Sequence, residues 1–310
     1  MSIVTKISYN ALGLLLNGIA RLPFGALYAI SDFLYVLIYR VVRYRVKIAR
    51  HNICSSFPEK SKNECRKIER KFYKHFADYI VETIKLLHIS DDEMRNRMKY
   101  YDVELVDESL SKGKSSALYA GHYANWEWLP SITLWTKYSH ETVSFGQIYH
   151  PLKNQWFDSF MLQLRERFHS KCISRTDSLK CLLREKNSGR LSVTGFISDQ
   201  HPAPNDNKHV LRFLNHDTAF ITGSELLARR LGFDVYYFDV VKIKRGYYTT
   251  TIRRITTDST IQTPGAITDA YVALLEQSIE RQPELWLWTH ARWKNPVGNA
   301  AHTPIAIKQI

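Results

Sequence analysis

From about residue 115 the chain alternates between two kinds of segment, and that alternation restricts the fold more than any other feature. Short apolar runs of strand length, "SALYAG" (116–121), "TVSFGQIY" (142–149), "LSVTGFIS" (191–198), "DVYYFDVVKI" (234–243), "YYTTTIRRI" (247–255) and "ELWLWT" (284–289), are interspersed with helical stretches at 125–137, 152–168, 176–187, 218–231 and 266–281. Strands that alternate with helices cannot all pair with their sequence neighbours, so the pattern predicts an α/β domain: a mostly parallel or mixed central sheet flanked by helices. Gly246 lies between two strand-like runs and predicts a hairpin at the end of that sheet. In such sheets ligands sit beyond the carboxyl ends of the strands.

Upstream, "SFPEKSKNECRKIERKFYKHFADYIVETIKLL" opens with a capping box, Ser61 with Glu64. Cys65, Ile68, Phe72, Phe76, Ile80, Thr83 and Leu87 then recur at helical spacing, which predicts a long amphipathic helix with its basic residues on a solvated face. Residues 7–39 carry only Arg21 and Asp32 as charges, and neither half is an uninterrupted apolar run of about 18 residues. No small-residue cleavage site marks a signal peptide. The basic run "RVVRYRVKIAR" follows, with Arg40, Arg43, Arg45, Lys47 and Arg50 and no acid. Apolar then basic predicts a membrane-associated helical segment whose flank stays on the cytoplasmic side. The expected division is 1–50 as anchor and 51–310 as the α/β domain.

Lys and Arg outnumber Asp and Glu by 43 to 30, a formal charge of +13, which suits an acidic partner: a nucleic acid, an anionic membrane, or an acidic protein or substrate. Cys54, Cys65, Cys172 and Cys181 are scattered and form no C-x-x-C pair, so free thiols are expected and no metal site is predicted.

The residues that suggest chemistry are in "ALYAGHYANWEWLP", 117–130, where His122 follows a strand-like run and Gly121, and Glu127 stands five positions on. On one continuous helix, residues five apart point about 140° away from each other. They converge only if His122 lies on the strand-to-helix turn and Glu127 in the first helical turn. Asn125 as N-cap allows this and puts the carboxylate at the positive end of the helix dipole. Glu127 would then accept the Nδ1 proton and leave Nε2 as a base for a hydroxyl. No G-x-S-x-G elbow, H-E-x-x-H helix, Walker loop or G-x-G-x-x-G competes. With no nucleophile beside His122, direct transfer is favoured over a covalent intermediate.

"GHYANWEW" resembles the H-x4-D/E signature of the glycerolipid and lysophospholipid acyltransferases, and with Trp126 it looks most like the lipid A biosynthesis (late) acyltransferases. "VKIARHNICSSFPE", "YHPLKNQWFDSFMLQLRERF", "SDQHP", "FLNHDTAFITGSELLARRLG" and "WLWTHARWK" resemble further family blocks in order, over roughly 40–294. The resemblance implies an O-acyltransferase without a cofactor that moves a fatty acyl chain from acyl carrier protein, or acyl-CoA, to a hydroxyl of a lipid A precursor at the bacterial inner membrane. His122 would be the general base and Glu127 its orienting partner. Arg165, Arg167 or backbone N–H groups would receive the oxyanion, and Asp199 would tune or brace the site. Asn125 and Trp126 belong to the substrate-binding set it implies. Tyr123, Trp126, Trp128, Phe213, Phe220 and Trp288 either line an acyl groove or serve the core. His290, Arg292, Trp293 and Lys294 either meet phosphate or form a solvated end. The family more often has glycine where Ala124 stands, and the extra methyl could narrow the approach to the site. Another lipid acceptor is the alternative within the same chemistry. A non-catalytic membrane-surface or nucleic-acid-binding protein acting by charge alone is the alternative outside it, and no interleaved basic and aromatic motif supports nucleic-acid reading.

Overall fold

The computed structural model describes residues 3–203 and 208–294. Helix α1 (Ile3–Arg21) and helix α2 (Phe24–Tyr35), which runs on as a wider π turn (Val36–Val41), lie against the long helix α4 (Lys62–Lys85); α3 (Val46–Ser56) connects them. A division after residue 50 would fall inside α3, whose Val46, Ala49 and Ile53 join the same apolar core as the sheet.

The capping box of α4 forms as expected: Ser61 Oγ accepts from the Glu64 backbone N–H, and Glu64 Oε2 accepts from the Ser61 N–H at 2.8 Å. The helix is buried on more than its apolar stripe, because Glu69, His75, Asp78 and Glu82 are enclosed as well. Each has a partner that sequence periodicity does not announce. Tyr39 and Arg50 bond Glu69, the Ala124 carbonyl meets His75 Nε2, Ser31 and Arg245 bond Asp78, and Tyr28, Asn125 and Tyr248 bond Glu82.

After α5 (Asp91–Arg97), β1 (Met98–Tyr101) and α6 (Glu104–Ser111), the α/β alternation supplies β2 (Ser116–Ala120), β3 (Ser144–Tyr149), α7 (Gln155–Arg165), β4 (Lys171–Ser174), α8 (Ser178–Asn187), β5 (Ser192–Ile197), β6 (Lys208–Phe213), β7 (His216–Ile221), α9 (Gly223–Leu231), β8 (Asp234–Lys244), β9 (Tyr247–Thr256) and α10 (Ala266–Arg281). Among the described residues seven strands form one sheet in the order β1-β9-β8-β2-β5-β3-β4. All neighbours are parallel except the β8–β9 hairpin. Gly246 makes that hairpin's turn at φ 72, pressed so close to Tyr28 that a Cβ would lie 1.7 Å from its hydroxyl.

Three expectations are corrected. The stretch 218–231 is not all helix: β7 occupies its start and pairs with β6 across a turn at Leu214 and Asn215, both at positive φ, as a two-residue hairpin demands. The run 284–289 is not a sheet strand; it makes a short 3-10 turn (Pro283–Leu285) and then a single bridge from Trp286 to Tyr123. The expected helix 125–137 is a 3-10 segment, Trp126–Leu134, with Pro130 inside it, where the missing N–H disfavours an α-helix.

Candidate active site

Strands β2 and β5 are parallel neighbours, with Ala120 opposite Ile197. Each chain then leaves the sheet, and the residues two positions beyond, His122 and Asp199, come together. The His122 backbone N–H donates to Asp199 Oδ2 at 2.9 Å, and its ring Nδ1 donates to Oδ1 at 2.6 Å. Trp286 Nε1 donates to Oδ2 at 2.8 Å. Burial would raise the Asp199 pKa, but the His122 charge and these donors outweigh it and hold the carboxyl down at about 2. An ionised carboxylate on Nδ1 fixes that nitrogen as the protonated one and leaves Nε2 bare. Gln200 Nε2 lies 3.1 Å from that nitrogen and donates to it. Gly121 allows the close packing, since a Cβ there would lie 2.6 Å from Leu275 Cδ1 of α10.

The expected His122–Glu127 contact does not form. Ala124 takes φ 54, a left-handed turn that leads the chain away before Glu127. The Glu127 carboxylate instead receives Arg165 in a bidentate pair, Nε at 2.8 Å and Nη2 at 2.7 Å, with the Tyr79 hydroxyl at 3.4 Å. Burial would weaken the guanidinium's hold on its proton, and the Glu127 carboxylate more than reverses that.

A cavity of about 390 Å³ extends from His122 and Gln200 into the layer between the sheet and the 3-10 segment. Its size and lining are those of a small-molecule site. Leu118, Ala120, Gly195, Ile197 and Phe145 form the apolar floor, Trp126, Leu129 and Ile132 the roof, and Glu127 with Arg165 a charged spot in the wall. Trp126 is held by stacking on Tyr79, ring centres 4.2 Å apart, and sets its edge against the His122 ring.

Of the residues singled out in the sequence, His122, Trp126, Glu127 and Arg165 border this cavity, and Asp199 stands behind His122. Asn125 does not. It holds the expected N-cap position, of the 3-10 segment, but its side chain makes no cap there; it is fully buried and donates to Glu82 at 2.7 Å. Arg167 points elsewhere, to the Ile89 carbonyl and Asp91. Tyr123 and Trp128 are core, bonded to the Ser278 and Glu82 carbonyls, and so are Phe213, Phe220 and Trp288. The Ala124 methyl is fully buried and does not border the cavity, so it narrows no approach. Arg292 is buried over the Phe220 ring and donates to the Ala219 carbonyl at 2.5 Å, so it is no solvated terminus. The sequence reading did not single out Tyr79, Gln200 or Trp286. Gln200 had a signal, its place beside Asp199 after a strand, whereas Tyr79 and Trp286 reach the site only through packing.

A parallel α/β sheet carrying a carboxylate-backed histidine at a strand end, open to an apolar cavity, is the frame of an enzyme that transfers apolar groups. Residues 4–295 match the family of bacterial lipid A biosynthesis acyltransferases. The chain belongs to that family and is an O-acyltransferase. It is similar to the lipid A biosynthesis lauroyltransferase of Escherichia coli (strain K12), 23% identical over 277 residues that cover 89% of this chain and 88% of that protein.

Proposed function

We propose that this enzyme moves a fatty acyl chain from an acyl carrier protein thioester to a hydroxyl of a lipid A precursor, on the cytoplasmic side of the bacterial inner membrane. The observation that carries the reading is His122, with Nδ1 bound to a buried carboxylate and Nε2 at the mouth of an apolar cavity. The acceptor hydroxyl displaces Gln200 and gives its proton to Nε2 while its oxygen attacks the thioester carbonyl. The imidazolium that forms is stabilised by Asp199. It then returns the proton to the departing thiolate as the tetrahedral intermediate collapses. Asp199 holds the tautomer, the role first assigned to Glu127, and Glu127 fixes Arg165 as the cation in the cavity wall, placed to favour the developing oxyanion. The acyl chain fills the apolar cavity. The relative's name, lauroyltransferase, agrees with a saturated chain of moderate length.

Three observations favour a membrane-surface site. Residues Phe24–Val41 are long and apolar enough to cross a membrane, at a mean hydropathy of 1.4. One side of that helix is tied to α4 through Tyr28, Ser31 and Tyr39, which bond Glu82, Asp78 and Glu69. Phe33, Val36, Val41 and Val42 are exposed, and so are Leu14 and Leu15 of α1. A helix bonded laterally to carboxylates suits the interface plane better than a span through hydrocarbon. The net charge of +13 favours both an anionic leaflet and an acidic carrier protein.

The test gives the purified enzyme an acyl carrier protein thioester and a lipid A precursor. Release of carrier thiol together with an acylated lipid A product in the mass spectrum is expected. Thiol release with only another lipid acylated would reassign the acceptor, and no release with any lipid would overturn the reading.

A further inference from the structure

Gly195 stands in the interior of β5, between β2 and β3, where glycine weakens a strand and packs nothing. Its backbone is not in the left-handed region, so the conformation does not require glycine. Packing does not require it either: the nearest atoms a Cβ at 195 would meet are Gln147 Cβ and the Gly146 carbonyl oxygen of β3, both at 3.7 Å, an ordinary van der Waals contact. Gly146 on the next strand is different, because a Cβ there would press within 3.0 Å of Ile173 Cδ1. The register places Leu118 and Gln147 on either side of Gly195 on one face, and that face is the cavity floor. What the absent side chain leaves open is therefore the middle of the cavity.

We propose that Gly195 sets the length of acyl chain the enzyme accepts, an inference that rests on the acyltransferase reading above. The floor on β5 runs from Ile197 near His122 through Gly195 to Val193, which lies beside Phe145. The four residue steps from 197 to 193 cover about 13 Å at ~3.3 Å per residue. An extended chain advances roughly 1.3 Å per methylene, given carbon–carbon bonds of ~1.5 Å, so this floor accommodates about ten methylenes. Gly195 lies halfway along it. A side chain there stops the acyl chain about five methylenes short, and trimming Val193 at the inner end extends the reach.

The experiment measures kcat/KM for wild type, Gly195→Ala, Gly195→Val and Val193→Ala against acyl carrier protein thioesters of stepped chain length. Gly195→Val is expected to lower kcat/KM for the best wild-type chain about 100-fold, since a misfit of one methylene in an apolar pocket is already worth about 10- to 200-fold. It should retain turnover of chains about five methylenes shorter. Gly195→Ala should give a smaller shift of the same sign, and Val193→Ala a shift toward longer chains. Should Gly195→Val fail to fold, the opposite shifts of the two milder variants carry the test. Folded variants that keep the wild-type chain profile overturn the inference while the transfer reaction stands. If wild type transfers no chain, the functional reading fails, and fatty acid binding, read by quenching of tryptophan fluorescence, decides the matter of Gly195. A length preference that moves with the residue at 195 supports its role, and one that does not move overturns it.

Discussion

Asp199→Asn separates the orienting acid from the other carboxylate of the site. The Asp199 Oδ2 atom accepts from two groups that can only donate, the His122 backbone N–H at 2.9 Å and Trp286 Nε1 at 2.8 Å. In the variant the amide oxygen must stay on that side, so the NH2 group faces His122 Nδ1. Two N–H groups cannot face each other, and the imidazole changes tautomer, placing its proton on Nε2 where the base should be. Working through the needed tautomer then forfeits a charge-assisted hydrogen bond, about 1.5–3 kcal/mol, and opposes two buried donors, about 1–3 kcal/mol. Taken together at about 4–5 kcal/mol, with 1.36 kcal/mol per tenfold, kcat should fall roughly 10³- to 10⁴-fold. KM should change little, because Asp199 is 2% exposed and does not border the cavity. The assay is carrier-thiol release at saturating acceptor, with the chain-length optimum as a control for site integrity. Turnover of Asp199→Asn within about tenfold of wild type, alongside a dead Glu127→Gln, would refute the reasoning and return the orienting role to Glu127.

Glu127→Gln removes one partner of a buried ion pair and leaves the Arg165 guanidinium, itself only partly exposed, without its carboxylate; urea denaturation should record a loss of about 3 kcal/mol, and a loss under about 1 kcal/mol would show the pair is not a structural element. Gly246→Ala combines a positive φ with a collision against the Tyr28 hydroxyl, so a stability loss of about 2 kcal/mol or more is expected by the same method, and Tyr28→Phe should recover part of it. Burial, with smaller effects from nearby charges, depresses the pKa of His290 from 6.5 to about 4. The unfolded chain thus binds a proton between those limits that the folded one refuses. His290 costs nothing above pH 6.5, and stability falls as pH drops from 6.5 toward 4 and levels off below, by about 2 kcal/mol once solvent screening is allowed for. The fully buried His75 is shifted the same way by burial and the nearby Lys242. Melting temperatures across that window should show the fall, and His290→Gln should make it shallower.

The sequence alone determined what depends on near neighbours. Short apolar runs of strand length gave five of the seven strands of the main sheet, Ser61 with Glu64 gave the start of α4, and Gly246 gave the hairpin. His122 was placed at a strand end because the apolar run stops at Gly121 in front of it. The short strands β1 and β4 were missed because four residues carry too little periodicity to stand out, and β7 was read as helix because its partner β6 was not recognised. The tertiary structure alone decided which carboxylate serves His122. Glu127 is near in sequence, but the left-handed turn at Ala124 and the 3-10 path through Pro130 send it to Arg165. Asp199 is 77 residues away, yet the parallel pairing of β2 with β5 brings the two strand ends side by side. Strand order and register are set by what the whole sheet buries, and no local spacing in the sequence encodes them.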